Sequence, residues 1–160
     1  MDFLNIQLDW DDFYWHGDFV GPLFDNIPSK GIQLHVGAKD EEEVPPHSLQ
    51  VEAWQRLIDT PKEYSEIILH GLFEYYTKMR PKYVQASGEW AKNMPELTAS
   101  NEIAGLIQLN IVDIGWPYAE AVEVGYSFRC HWDREHGAGI VLKGHKIVDV
   151  GGADCLYFSR

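Results

Sequence analysis

Apolar and polar positions alternate along Ala121–Asp133. Val122, Val124, Tyr126, Phe128, Cys130 and Trp132 point one way, and Glu123, Ser127, Arg129, His131 and Asp133 point the other. A period of two is the signature of a half-buried β-strand. Gly137 marks a turn, Gly139–Lys143 reads as a second strand, and Lys146–Val150 as a third. Gly144-His145 between them, with glycine first, suits a type II′ hairpin. The C-terminal part, 111–158, therefore predicts an antiparallel meander with one apolar face. It includes a short strand over Ile111–Ile114 that Gly115-Trp116-Pro117 ends.

The middle of the chain, 48–107, changes period. Tyr64, Ile67, Ile68, Gly71, Leu72, Tyr75 and Met79 recur at three- and four-residue spacing, one apolar stripe on a helix. Thr60-Pro61-Lys62-Glu63 has the form of a capping box with proline at the first helical position, and Arg80-Pro81 predicts the helix end. Ser48 predicts the cap of an earlier helix running to Ile58, and Ser100 that of a short one containing Ile103, Leu106 and Ile107. Residues 82–95 read as irregular.

The N-terminal part, 1–38, reads as strands. Ile32, Leu34 and Val36 alternate with Gln33 and His35, and the aromatic run 12–20 is interrupted by His16-Gly17-Asp18, a turn or bulge signal. Lys39–His47 is a charged, proline-bearing loop. Packing the helical stripe on the apolar face of the meander gives a single α+β domain over 1–160. The pattern leaves open whether the early strands join the main sheet.

Composition bounds the function more than it defines it. The 160 residues carry a net charge of −12, with ten acids against two lysines in the first 48. Such a field repels phosphate backbones and anionic membranes and attracts a basic partner. Nucleic acid and membrane are thus disfavoured as partners. The chain begins without a basic, apolar leader, and no apolar run is long enough for a membrane span. Its two cysteines lack metal or redox spacing, so a reducing, cytoplasmic setting is expected. No cofactor is implied, and no oligomeric state.

Candidate chemistry falls in two places. His131, Asp133, Glu135 and His136 offer four nitrogen and oxygen ligands within six positions, enough in kind for Zn²⁺ or Mn²⁺. Against that, no HExxH-type spacing is present, and Asp133 and Glu135 equally suit a turn that binds its own backbone. Cys130 and His131 face opposite sides of a strand and make no nucleophile–base pair. The second place is Trp10, Asp11, Asp12, Tyr14 and Trp15. Rings supply contact area and cation–π attraction, and carboxylates supply steering and arginine pairing. The alternative there is an edge strand whose rings alternate into the core.

Phe128-x-Cys130-x-Trp132-Asp133-x-Glu135-His136-Gly137-x-Gly139-x-Val141, followed by Val148-x-x-Gly151-x-Ala153-Asp154, resembles a bacterial family of uncharacterised proteins, the DUF6985-type domain. Gln50–Trp54, Ile67-Ile68 and Tyr75-Tyr76 fit its helical part. The resemblance implies an immunity-like binding role, since members of such families often sit near secreted toxins or in mixed operons; it carries no catalytic residues.

The expected function is accordingly a non-enzymatic protein-binding module, of the immunity type, that neutralises a basic toxin-like protein. The alternatives are a metal-dependent hydrolase built on the His131 cluster and a subunit of a cellular assembly.

Overall fold

The computed structural model of the chain describes residues 1–158, including every side chain among these but those of Trp90, Ala91 and Phe158. Among the described residues nine strands form two sheets. β1 (Asp2–Phe3) and β2 (Ile6–Gln7) make a small hairpin. The main sheet contains β3 (Asp9–Asp11), β4 (Tyr14–Phe19), β5 (Ser29–Gly37), β6 (Ile107–Ile114), β7 (Glu123–Cys130), β8 (Ala138–Lys143) and β9 (Lys146–Gly151), ordered as in the chain. The N-terminal strands therefore extend the C-terminal meander into one seven-stranded sheet. All its pairs are antiparallel but β5–β6, which is parallel. A parallel pair needs a long crossover, and α1 (Ser48–Asp59) and α2 (Pro61–Ala86) lie within it.

These helices cover one face. Ile32, Leu34, Val36, Val112, Ile114, Tyr126, Phe128, Ile140 and Leu142 are buried there with Trp54, Leu57, Ile68 and Leu72 of the helices. The main core cluster runs from Phe3 to Leu142. Gly71 on α2 lies so close to the sheet that a Cβ would stand 2.7 Å from Ile140 Cδ1. The strands carry the alternation read from sequence, and Gly144 has φ +58 in a two-residue loop closed by Lys143 and Lys146.

Several local expectations are corrected. The helix runs through Pro81 to Ala86, and a short helix, α3 (Trp90–Asn93), follows within the stretch expected to be irregular. Proline removes the hydrogen bond to the carbonyl of Thr77, but both residues lie on the exposed face, where water can serve that carbonyl. Arg80 donates to the carbonyl of Met94 (2.6 Å) and Tyr76 to that of Pro95 (2.8 Å), so this helix also anchors the following segment. The cap of α1 is His47, whose Nδ1 accepts from the Leu49 amide at 3.1 Å, and not Ser48. The Thr60 capping box does not form: as α1 ends on Thr60, both its amide and its hydroxyl donate back to Arg56. The segment Ser100–Leu106 is a 3-10 turn without a serine cap; Glu102 accepts from the amides of Thr98 and Ala99 instead.

Strand β6 begins four residues before its predicted start, at Ile107, because a register shift between Leu109 and Ile111 breaks the alternation at Asn110. His16-Gly17-Asp18 is uninterrupted strand. Gly17 is there because the β2 end crosses it: a Cβ would sit 2.5 Å from the Gln7 carbonyl oxygen. β7 is shorter than expected, ending at Cys130.

The other face of the sheet is divided. Over β7 and β8 it is covered by a short helix, α4 (Cys155–Phe158), a C-terminal layer missed in the sequence. Leu156 fills the space above Gly125 and Gly139, and packs with Val141 and Cys155. Over β4–β6 no helix among the described residues covers this face, and there the polar row His16, His35, Asp113 runs across neighbouring strands.

Candidate aromatic and acidic cleft

At the carboxyl ends of the parallel strands β5 and β6, one strand leads on to the crossover helices and the other to β7, and α/β proteins commonly open a crevice at such strand ends. Here the crevice is a cleft of about 400 Å³. Its floor is His35 from β5 and Asp113 from β6, neighbours in register across the parallel pair. Asp113 is only 3% exposed. Its walls are rings: Phe13 and Tyr14 from the β3–β4 hairpin, Trp116 and Tyr118 from the β6–β7 loop, and Tyr157 from α4. Glu41 from the β5–α1 loop stands at the rim. Ligand sites are usually hollows of this size with mostly apolar walls and a few placed polar groups.

Two of the walls are held by neighbouring rings. The ring of Tyr14 lies 4.7 Å from that of His35. Burial raises the Tyr14 phenol above its usual range; the carboxylate of Asp11, which accepts its hydrogen bond, adds to this, as do Tyr157 and Asp113. Trp116 is held edge-on against His47, ring centroids 5.5 Å apart. Gln50, fully buried on the first turn of α1, donates to the carbonyls of Gly37, Ile114 and Gly115 at 2.9–3.1 Å and accepts from the His47 amide at 2.8 Å. This one side chain ties the helix start to both strand ends beneath the cleft.

The three loops around the cleft concentrate left-handed backbone. Asp12, Asp40, Glu41, Ala119 and Glu120 account for five of the seven non-glycine residues at positive φ among the described residues. Such conformations are disfavoured for side chains with a Cβ and gather at binding sites, where surrounding structure holds them.

The residues expected on the N-terminal binding surface are separated by the hairpin. Trp15 is a core residue, 6% exposed, and its indole donates to the Val44 carbonyl at 2.7 Å. Trp10 pairs with it on the same face, half-buried, with ring centroids 5.3 Å apart. The edge-strand alternative thus holds for the two tryptophans. Asp11 and Tyr14 lie on the opposite, open face, with Asp12 and exposed Phe13 at the tip between them. Missing from the sequence reading were His35, Asp113, Trp116, Tyr118, Tyr157 and Glu41. One signal was available: Asp113 is an acid inside the apolar run Ile111–Ile114, and a buried charge calls for explanation.

The His131 cluster assembles only in part. Asp133 Oδ1 accepts from the His136 amide at 3.0 Å and lies 3.1 Å from His136 Nδ1. The Asp133 carbonyl accepts from the Gly137 amide (3.0 Å) and from the Cys130 thiol (3.2 Å). His131, Glu135 and His136 are exposed. Among the described residues no three His, Cys, Asp or Glu side chains converge so as to hold a metal ion. The geometry is that of a turn binding its own backbone.

Phe128, Cys130 and Trp132 are buried, with Trp132 packed on Tyr76 at 5.0 Å between ring centroids. Gly137 has φ +66, and Gly139 lies under Cys155. None of these residues lines the cleft. No helix among the described residues is long and apolar enough to cross a membrane. No curated protein and no solved structure matches the chain. A family match spans nearly its whole length: over residues 3–158 the chain belongs to the family described as Domain of unknown function (DUF6985).

Proposed function

We propose that this protein is a protein-binding module whose partner is basic, and that it binds through the open half of its sheet and the tip of the β3–β4 hairpin. The observation that carries this reading is the cleft itself, in which five rings stand around a carboxylate floor on a chain of net charge −12. Phe13 and Tyr118 are 59% and 62% exposed beside it. Large rings with so much free surface are the groups that anchor protein interfaces. Acids around them speed the encounter with a basic surface.

An immunity-type role, with a basic toxin as that partner, is the specific form the family resemblance implies. The test is capture of partners from the native host with the tagged protein at low salt. The reading expects one basic protein in one-to-one ratio, released as salt is raised. Capture of acidic proteins, or of a complex indifferent to salt, contradicts it. Co-expression that relieves the toxicity of the captured partner separates the immunity role from membership of an assembly.

A further inference from the structure

Resting on the reading above, we infer that the cleft seats an arginine side chain of the partner, its guanidinium stacked among the rings and paired with the carboxylate of Asp113. Three features select this group. First, the walls are aromatic. Tyr14, Trp116, Tyr118 and Tyr157 line the cleft, and guanidinium is planar and weakly hydrated, so it stacks on rings where an ammonium keeps its water. Second, the floor is anionic and enclosed. Asp113 is almost wholly buried at the base of the cleft, where a carboxylate meets the two-pronged donor edge of arginine at low dielectric. Glu41 adds charge at the rim. Third, the size fits: about 400 Å³ takes one long side chain with neighbouring backbone but not a folded element.

His35 is the group nearest this assignment that must be accommodated, being both the register neighbour of Asp113 and the ring under Tyr14. Its imidazole ring, packed on Tyr14, extends the stacking surface. Gln50 holds the strand ends through its hydrogen bonds to Gly37 and Ile114, so the seat is formed before the guest arrives, which lowers the ordering cost of binding.

The experiment is an NMR titration of the full-length ¹⁵N-labelled protein with acetyl-Gly-Arg-Gly-amide, the lysine counterpart and the citrulline counterpart, which keeps the shape of arginine without its charge. The Trp116 indole N–H is the reporter. The expected result is a saturable shift with the arginine peptide, binding about tenfold weaker with lysine, and no saturable shift with citrulline. Asp113→Asn should weaken arginine binding about tenfold or more. Because Asp113 is buried, Tyr118→Ala serves as a second variant at an exposed position and should weaken binding several-fold.

A citrulline peptide that shifts Trp116 equally, or an arginine titration unchanged in Tyr118→Ala, overturns the inference. A basic partner retained equally by wild type and by Asp113→Asn, with no arginine-peptide shift, overturns the arginine seat alone. An arginine shift as expected with no basic partner captured overturns the basic-partner reading alone.

Discussion

The side-chain amide of Gln50 donates to the main-chain carbonyl of Ile114 at 3.1 Å, across 64 residues of sequence. The same nitrogen reaches Gly37 and Gly115, so one buried polar side chain closes the ends of the parallel pair where their ladder stops. Removing it leaves buried carbonyls without a donor, which costs more than the net worth of the bonds themselves. Gln50→Leu, similar in volume, should lower stability by about 2–4 kcal/mol in urea unfolding. A loss below about 0.5 kcal/mol would mean that water replaces the amide and that the cleft floor is not built this way.

Glycine positions should respond in opposite directions. At Gly17 a Cβ meets the Gln7 carbonyl at 2.5 Å and the Ile6 and Leu8 side chains at 2.9 Å, and backbone cannot simply move aside. Gly17→Ala should destabilise by about 3 kcal/mol. Gly88 has nothing within 4 Å and no positive φ, so Gly88→Ala should stabilise slightly, by less than about 1 kcal/mol. Parallel urea titrations of the two variants decide this; equal effects would contradict the crossing of β2 over β4.

The two thiols give a pH dependence. Burial pushes Cys130 up to about 11 and Cys155 up to about 12. Folded values above the unfolded thiol range mean that folding favours the protonated form. This contribution is complete at neutral pH, and it is lost as pH rises from about 9 towards those folded values. The urea midpoint should stay level from pH 6 to 8 and fall above about 9. Iodoacetamide should label both cysteines slowly in the native protein and rapidly in urea. Fast native labelling at pH 7.5 would show that α4 does not cover its side of the sheet.

The turn after β7 can be tested residue by residue. Asp133→Ala removes the acceptor of the His136 amide and should cost about 1 kcal/mol. His131→Ala and Glu135→Ala, both at exposed positions, should change stability by less than about 0.5 kcal/mol. Added zinc should not raise the melting temperature of any of these proteins. A zinc-dependent rise in wild type that His131→Ala abolishes would restore the metal reading.

Legibility of the fold followed periodicity. The alternation over Val122–Cys130 and the stripe from Tyr64 to Met79 each bury a face, so the meander, the long helix and their packing were readable. The irregular places were not. The Asn110 register shift hides the start of β6, and Pro81 sits on an exposed helix face where its cost is small. The parallel β5–β6 pairing depends on contacts across a crossover of some seventy residues, which no local pattern encodes. The cleft was less legible still. Its rings come from the β3–β4 hairpin, the β6–β7 loop and α4, and only Phe13 and Tyr14 lay in the run that composition singled out. Trp10 and Trp15 attracted notice by residue type, but strand pairing turns them inward.

The most direct measurement compares wild type with the double variant Phe13→Ala/Tyr118→Ala as bait in the same host lysate at low salt. Both positions are largely exposed, so the variant should unfold at the same urea concentration as wild type. The account predicts a basic partner on wild type and at least about tenfold less of it on the variant, as expected when two interface anchors are removed. Equal retention of that partner by both proteins would contradict the claim that this surface is where the protein binds.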